Sequence, residues 1–403
     1  MVTTIIFWLF YTLPKLILSA LQIRYVRTKM SERAVILEER EYHEAGEYAI
    51  AKGKLEMVET LLAGIIAGIW LLFGLSLLEK ITADFAPAWL SSLLFVLLFV
   101  LLPSLVTLPL EGYRSLVLDK KFGFSKSNLK LFMLDTLKEL TLTLLIASPL
   151  ILAFVYIIEH FALWWLYGFL LAFVLIVLTN LLYPTLIAPI FNKFTPLENE
   201  SLKESIDGLM QRAGFSSSGV FVMDASRRDG RLNAYFGGLG KSKRVVLFDT
   251  LLEKVKEREL LAILGHELGH FRHGDLYKNL AFSAFLFLII FYLAGHLPPA
   301  IFNDVNISQN PHSTLVLLLL ISSPLGFWFM PLFGFLSRRN EYAADCFGAE
   351  MEDKASLANA LVSLVNENRA FPHSHPAYIF FYYTHPPLVQ RLEALGYFES
   401  GES

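Results

Sequence analysis

The sequence predicts an α-helical, multi-pass membrane protein with seven transmembrane helices and a small α+β module on the cytosolic side. Hydrophobic residues make up 55% of the 403 residues, only 18% are charged, and the mean hydropathy is +0.51. A soluble domain of this size rarely has such a composition. Several stretches also approach the length of about 20 apolar residues that crosses a bilayer, and basic residues concentrate in alternate loops.

Seven apolar stretches qualify as membrane spans, in the order 5–21, 61–78, 89–110, 140–158, 162–184, 280–300 and 315–336. The first is interrupted by Pro14 and Lys15, and a cleaved signal peptide is the alternative for it. The stretch lacks the basic start that such a peptide usually has. The working count is therefore seven.

The distribution of Lys and Arg predicts the orientation. Basic residues cluster after spans one and three, whereas the loops after spans four and six have none and the loop after span two has only Lys80. Cytosolic loops carry the excess of Lys and Arg in membrane proteins. The N-terminus is therefore expected outside, with residues 185–279 and 337–403 inside. The net charge of -3 gives no support for a nucleic-acid partner.

This pattern divides the chain into four parts: residues 1–184 with spans one to five, an inserted module at 185–279, spans six and seven at 280–336, and a C-terminal part at 337–403. The inserted module combines both types of secondary structure. Apolar residues at helical spacing predict a helix over 198–214. The β-branched and aromatic runs at 219–224 and 244–249 predict strands, with a further short strand at 232–236.

The inserted module ends in the sequence "LLAILGHELGHFRHGD" at 260–275. Positions four apart share one face of a helix, so His266 and His270 can bind the same metal ion. Glu267 then lies beside the metal, where its carboxylate can take a proton from a water molecule activated by zinc. Two histidines on the surface of a charged helix are the alternative interpretation.

Such a zinc site needs a third protein ligand. The sequence "NEYAAD" places Glu341 and Asp345 four residues apart, again on one helical face. Glu341 is the candidate ligand, and Asp345 is the candidate acceptor for the N–H of a ligand imidazole. An exposed acidic pair near two arginines is the alternative.

The predicted topology favours the metal site. Spans six and seven are joined by a short outer loop, so they are expected to be antiparallel neighbours. His270 then lies before the start of span six and Glu341 after the end of span seven, beyond the same membrane face. We therefore expect the segment around His266 to be a cytosolic extension of the sixth transmembrane helix.

These motifs resemble the gluzincin family of integral-membrane CAAX prenyl proteases. Besides "HELGH" and "NEYAAD", the resemblance rests on four further segments, namely "KKFGFSKSNL" (120–129), "YPTLIAPIFNKFTPL" (183–197), "NAYFGG" (233–238) and "THPPLVQRL" (384–392). The resemblance implies seven helices around a large water-filled chamber, with one zinc ion at its cytosolic end.

The resemblance also assigns roles to further residues. It implies that a peptide substrate adds as a β-strand along an edge that contains Asn233 and Ala234. It implies that His385 donates a hydrogen bond to the developing oxyanion and that Arg391 binds a carbonyl or carboxylate of the substrate. A histidine capping a Pro-Pro turn and an arginine on a helix surface are the alternatives.

The predicted function is a zinc-dependent endopeptidase in the bilayer that acts near the C-terminus of prenylated or prenyl-like peptides, with Glu267 activating the water. A broad quality-control protease for membrane proteins is the alternative within the same chemistry. A transporter or a catalytically silent scaffold is the alternative outside it. The plasma membrane is expected in a prokaryote and the endoplasmic reticulum in a eukaryote.

Overall fold

A computed structural model describes residues 1–237 and 242–398. Gly238, the last residue of the "NAYFGG" segment, lies outside the described residues. Seven helices in the described part are long and apolar enough to cross a membrane: α1 Val2–Lys29, α2 Glu39–Ala83, α3 Ala88–Lys121, α4 Leu129–His160, α5 Trp164–Phe191, α9 Asp275–Gly295 and α11 Pro311–Met351. The prediction of seven membrane helices is confirmed.

Six of the seven described helices are longer than the predicted apolar stretches because charged and polar turns extend them, and α9 has the predicted length. Four of the helices include a five-residue segment with π-helical hydrogen bonds, at Trp8–Thr12, Trp70–Gly74, Arg114–Leu118 and Tyr183–Ile187.

The sixth predicted span was placed too late in the sequence, since α9 ends at Gly295 and not at residue 300. Pro298 and Pro299 follow, and two consecutive prolines disfavour continuation of a helix.

The membrane helices pack as neighbours in a ring. Each of α1 to α5 contacts the next, α5 contacts α9, and α9 contacts α11. Helix α11 in turn packs on α1, α3 and α4. The first helix is part of this ring, since the Trp8 indole N–H donates to the Gly64 carbonyl of α2 at 3.1 Å. A cavity of about 550 Å³ lies among α1, α2 and α3. Another cavity, of about 480 Å³, lies among α5, α9 and α11.

The inserted module contains a four-stranded sheet in the order β1-β2-β4-β3. The strands are β1 Phe194–Pro196, β2 Ser216–Met223, β3 Ala234–Gly237 and β4 Ser242–Phe248. Strands β2 and β4 are parallel, and the two outer strands pair antiparallel. The three predicted strands are confirmed with shifted bounds. Strand β1 was not predicted, because three residues that include a proline carry no strand pattern.

The sheet packs against two helices of the module. These are α6 Glu200–Arg212 and α8 Glu257–Arg272, and the short α7 Asp249–Lys254 leads from β4 into α8. Buried side chains such as Ile206 and Leu209 of α6, Val245 of β4 and Leu264 of α8 form one apolar core. The predicted helix over 198–214 is thus confirmed as α6. Because α8 is a core element of the module, its position is fixed by the sheet.

The remaining helices are short or lie near the C-terminus: α10 Pro299–Asp304, α12 Lys354–Glu367, α13 Pro376–Tyr382 and α14 Leu388–Ala394. Helix α12 packs on α8 and α11, and α13 packs on α11 and α1. The C-terminal part therefore covers the junction between the inserted module and the ring of membrane helices.

One expectation about the junction is wrong. Helix α8 ends at Arg272, Gly274 has a φ of 70° in the left-handed region, and α9 begins at Asp275. A left-handed residue terminates an α-helix, so the segment around His266 is not an extension of the sixth membrane helix. It is a separate helix of the inserted module. Helix α11, in contrast, continues without a break from residue 311 to residue 351.

Candidate metal centre and active site

The candidate site lies where α8 crosses α11. Helix α8 is buried along most of its length, and the side chain of His266 is only 9% exposed. On α11, Glu341 and Asp345 are both buried. Buried carboxylates in such numbers need a compensating charge or a metal. The i, i+4 spacing read from each sequence motif therefore produces two facing polar pairs in a protein interior.

Glycines allow the two helices to approach closely. A Cβ atom on Gly348 of α11 would lie 2.8 Å from the His266 backbone nitrogen and 3.0 Å from the Ala262 carbonyl oxygen. A Cβ atom on Gly269 of α8 would lie 3.0 Å from Cα of Ala344. Small residues at such crossings let backbones touch. The glycine of "HELGH" thus brings the histidines to the acidic residues.

The three predicted ligands converge. The Nε2 atom of His270 lies 3.3 Å from Oε1 of Glu341, and Nε2 of His266 lies 3.6 Å from Oε2 of Glu341. One ligand atom from each of the three residues falls within a group whose members are all within 4.8 Å of one another. Ligand atoms about 2 Å from a tetrahedral ion are about 3.3 Å apart. The two histidine–glutamate separations match that geometry, whereas the full group, at up to 4.8 Å, is wider and would contract around a bound ion.

The polar atoms of the site also fit a metal. Oε2 of Glu341 is buried and has no hydrogen-bond partner among the described residues. A buried carboxylate oxygen without a donor is costly, and a cation would remove that cost. Two imidazole nitrogens and one carboxylate are a known ligand set for a catalytic divalent metal that keeps an open position. The residues present therefore fit a metal ion.

Each histidine has a second carboxylate behind it. Asp345 Oδ1 lies 2.9 Å from Nδ1 of His266, although the present ring orientation does not align the N–H with that oxygen. Asp275 Oδ2 lies 2.9 Å from Nδ1 of His270 and within hydrogen-bond geometry. Such partners hold the imidazoles with Nε2 turned to the metal. Asp345 was predicted for this position and Asp275 was not.

Asp275 was missed because it belongs to the next helix. It is the first residue of α9, immediately after the break at Gly274, and a continuous helix would have turned it away from His270. Its five-residue separation from His270 within "HFRHGD" was the available signal. Lys278 donates to Asp275 at 2.7 Å, so the carboxylate is held on two sides.

The charge of His270 responds to these partners. Burial alone would lower its pKa, but the hydrogen bonds to Glu341 and Asp275 outweigh burial and raise the pKa to about 9. The ring of the metal-free protein is therefore protonated at neutral pH. A metal ion must displace that proton to bind.

Glu267 and His385 lie on the wall of the cavity of about 480 Å³. Glu267 shares the helix of the two histidines, and Nε2 of His385 lies 3.2 Å from Oε1 of Glu341. The side chain of His385 is 64% exposed. The protein atoms around the ring still remove part of its hydration, and this desolvation lowers the pKa of His385. The sequence motifs at 266–270 and 384–392 therefore meet at one point.

Arg391 is turned toward Asp345 and is itself buried. Its Nε and Nη2 atoms donate to the two carboxylate oxygens of Asp345 at 2.8 and 2.6 Å. Its Nη1 atom lies 3.6 Å from Oε2 of Glu341. The paired geometry fixes the orientation of the carboxylate. Contact of Arg391 with a substrate stays a prediction.

Asn233 precedes β3 and Ala234 begins it, and among the described residues β3 is an outer strand with one edge unpaired by another strand. Asn233 is exposed, and its side-chain oxygen accepts a hydrogen bond from the Ala234 N–H at 2.8 Å. Tyr235, Phe236 and Gly237 line the same cavity as Glu267 and His270. The later part of β3 therefore borders the candidate metal site, whereas Asn233 lines a separate cavity beside α5.

The rest of the cavity wall comes from the membrane helices, and it is largely apolar. It includes Val177 and Leu181 of α5, Leu276 and Leu280 of α9, and Phe333 and Ser337 of α11. The cavity is therefore continuous from the candidate metal ligands to side chains within the ring of helices.

Comparisons with known families cover almost the whole chain. The model of peptidase family M48 matches residues 196–399. The model of the CAAX prenyl protease N-terminal region, with five membrane helices, matches residues 22–193. The chain belongs to peptidase family M48. Its membrane helices place it in the CAAX prenyl protease branch of that family, as the motifs indicated.

Individual relatives agree. CAAX prenyl protease 1 of Saccharomyces cerevisiae is 35% identical over 76% of this chain and 72% of its own length. A CAAX prenyl protease 1 homolog of Homo sapiens is 33% identical over 78% of this chain and 75% of its own length. The crystal structure of Ste24p from S. mikatae is similar with a TM-score of 0.87 and 30% identity, covering 97% and 98% of the two chains.

This M48 member is therefore a multi-pass membrane metalloprotease. The transporter and silent-scaffold alternatives are not supported by any of these relatives. The prediction of a metal is confirmed at the level of a metal-dependent family with a His-His-Glu group that fits an ion.

Proposed function

We propose that this protein is a zinc-dependent endopeptidase that removes C-terminal residues from prenylated or prenyl-like peptides, the CAAX type of processing. The observation that supports it most is the convergence of His266, His270 and Glu341 on one cavity wall with Glu267, beside the free edge of β3. A ligand set of two histidines and one glutamate favours zinc over harder divalent ions.

The metal would be held by Nε2 of His266, Nε2 of His270 and the carboxylate of Glu341. When bound, zinc supplies a Lewis acid that makes a water molecule easier to deprotonate and a carbonyl easier to attack. Asp345 and Asp275 keep the two imidazoles oriented through their Nδ1 atoms, and Arg391 keeps Asp345 in place. These contacts hold the site ready before a peptide arrives.

Glu267 is the proposed general base. Its carboxylate accepts a proton from the attacking water as the water oxygen bonds to the peptide carbonyl carbon. The same proton then passes to the amide nitrogen as the C–N bond breaks, which releases an amine and a carboxylic acid, and the acid loses its remaining proton to water. Proton transfer by a positioned carboxylate contributes about 10²- to 10⁴-fold to such reactions.

His385 is the proposed donor to the carbonyl oxygen, which becomes negative during the attack. Its distance of 3.2 Å from Glu341 places it beside the metal ligands, and a preorganised donor at such a position is worth about 3 kcal/mol. Asn233 and Ala234 are the proposed start of the peptide-binding edge, since an exposed strand edge binds extended peptides through main-chain hydrogen bonds.

Two further observations support the prenylated substrate. The relatives are named as CAAX prenyl proteases, and the cavity beside β3 has apolar walls contributed by α5, α9 and α11. Apolar walls favour an apolar group on the peptide.

The proposed orientation places the inserted module and the C-terminal part on the cytosolic side of the membrane. The membrane is expected to be the plasma membrane of a prokaryote or the endoplasmic reticulum of a eukaryote. The orientation rests on the distribution of Lys and Arg.

The test is cleavage of a fluorogenic peptide, with and without a farnesyl group on its C-terminal cysteine motif, by purified protein of known zinc content. Wild type is expected to cut, and Glu267→Gln to bind zinc without cutting. Glu257→Gln, at the exposed start of the same helix, is the control and should behave as wild type. Equal cleavage of both peptides would favour the quality-control protease. Zinc-loaded wild type that cuts neither would contradict the proposal.

A further inference from the structure

The open edge of β3 ends at the start of the strand. Strand β3 pairs antiparallel with β4, and the Phe248 N–H donates to the Asn233 carbonyl at 3.2 Å. In an antiparallel pair, every second residue directs its N–H and C=O to the partner strand. Asn233, Tyr235 and Gly237 therefore face β4. Leu232, Ala234 and Phe236 direct their backbone groups to the opposite, open side.

The side chain of Asn368 already occupies the open side at Leu232. Its Oδ1 atom accepts a hydrogen bond from the Leu232 N–H at 2.9 Å, and its Nδ2 atom donates to the Leu232 carbonyl at 3.4 Å. One carboxamide thus makes both of the hydrogen bonds that a neighbouring strand residue would make. Asn368 follows the last turn of α12, so a helix of the C-terminal part reaches the edge of the sheet.

The backbone before Leu232 is fixed as well. Thr250 donates to the Arg231 carbonyl at 2.9 Å, and the Arg231 guanidinium donates to Asp229 at 2.6 Å and to the Tyr48 hydroxyl of α2 at 2.7 Å. The segment that leads into β3 is therefore held by the module, by a membrane helix and by Asn368. A peptide cannot displace it without breaking these contacts.

Asn368 also lines a second cavity. This cavity of about 480 Å³ includes Leu364, Phe371, His385 and Arg391. It shares Thr384 and His385 with the cavity that contains Glu267 and the open part of β3. A peptide strand along Ala234 and Phe236 would therefore reach Asn368 at the point where the first cavity gives way to the second.

We propose that Asn368 is a specificity-determining residue that ends the peptide-binding edge at Leu232. A bound peptide pairs with Ala234 and Phe236 only, and at Ala234 it replaces the Asn233 side-chain oxygen that accepts from this N–H at 2.8 Å. At the end nearest Leu232 the Asn368 carboxamide stands where the next peptide residue would pair, so the peptide cannot extend further along the edge. Asn368 thereby limits the number of residues on one side of the cleaved bond. The inference rests on the proposed peptidase function and deepens it.

The experiment uses peptides that share one cleaved bond and carry one to about six additional residues at either end, since each residue of a strand adds about 3.3 Å. For the full-length zinc-loaded wild type, kcat/KM is expected to fall about tenfold at one peptide length and at one end only. At that length the added residue cannot make two main-chain hydrogen bonds to Leu232, because Asn368 already makes them. Asn368→Ala should remove that fall. Asn368→Asp, which can still accept from the Leu232 N–H, should keep part of it.

Asn366→Ala, two residues earlier and outside the second cavity, is the matched control and should keep the wild-type length limit. Equal loss of activity on all peptides in Asn368→Ala would show a merely structural role and overturn the proposal. A wild type without any length limit at either end would overturn it as well.

A binding series separates this proposal from the proposed function. The same peptides, labelled with a fluorophore, are titrated against Glu267→Gln with and without Asn368→Ala, and the dissociation constants are compared. A length limit in binding that Asn368→Ala removes supports the role of Asn368 even if wild type cuts no peptide. Cleavage without such a limit supports the peptidase and contradicts the role of Asn368.

Discussion

The two helices that hold the candidate metal ligands differ in how they reach the site. Helix α11 crosses the membrane region and continues without a break to Glu341 and Asp345. Helix α8 belongs to the inserted module and stops before the membrane helix α9 begins. The site therefore joins two parts of the molecule. A metal ion bound there would link the inserted module to the ring of membrane helices.

If α8 and α11 each supply ligands that the metal needs, removing one ligand from either helix should reduce activity more than any other substitution. His270→Ala on α8 and Glu341→Gln on α11 should each lower cleavage by at least about a thousandfold, since both zinc and its contribution to catalysis are lost. Zinc content by atomic absorption and peptide cleavage are the measurements. Glu350→Gln, exposed on α11, is the control. Full zinc content in either ligand variant would show that the two helices do not share the metal.

The carboxylates at Nδ1 of the two histidines should have a smaller effect on zinc binding than the ligands themselves. Asp345→Asn and Asp275→Asn should each weaken zinc binding by about 10- to 100-fold, measured by competition with a chelator. The larger loss is expected for Asp345, because Arg391 is buried and then keeps an unbalanced charge. Lys278, the partner of Asp275, is 54% exposed and loses little. A larger loss for Asp275 would reverse this order.

Substitutions that push α8 and α11 apart should lower both stability and zinc affinity. Gly348→Ala places a Cβ atom 2.8 Å from the His266 backbone nitrogen, and such overpacking costs about 1–3 kcal/mol. The thermal midpoint in detergent should fall, and zinc affinity should fall with it. Gly326→Ala on the same helix has no atom within 4 Å of the new Cβ and should be neutral. Equal midpoints for both variants would contradict the close crossing.

The break between α8 and α9 should have the smallest effect. Gly274 has a φ of 70°, and a residue with a Cβ in that region costs about 1–2 kcal/mol. Gly274→Ala should lower the thermal midpoint slightly, and Gly274→Asn should lower it less because Asn tolerates the left-handed region. Stabilisation by Gly274→Ala would indicate a continuous helix, which was the expectation from sequence.

The sequence predicted those parts of the site whose cause is local. The four-residue spacings of His266 with His270 and of Glu341 with Asp345 define faces of helices without any tertiary information. Apolar length and the distribution of basic residues then predicted that both pairs lie beyond the same membrane face. The strands at 219–224 and 244–249 were visible from their β-branched residues for the same local reason.

The parts that sequence missed depend on contacts between distant segments. The role of Asp275 requires the helix break at Gly274, because only the break turns Asp275 back to His270. The contact of Asn368 with Leu232 joins residues 136 positions apart, and no spacing rule reaches so far. The pairing of Arg391 with Asp345 likewise depends on how the C-terminal part folds over α11.

The most direct test of the central claim is the X-ray absorption spectrum at the zinc edge of the purified protein, compared with its His270→Ala and Glu341→Gln variants. We expect one zinc per chain in wild type, with two imidazole nitrogens and one carboxylate among its ligands, and loss of that signal in both variants. A zinc environment that is unchanged in either variant would contradict a metal site shared between α8 and α11.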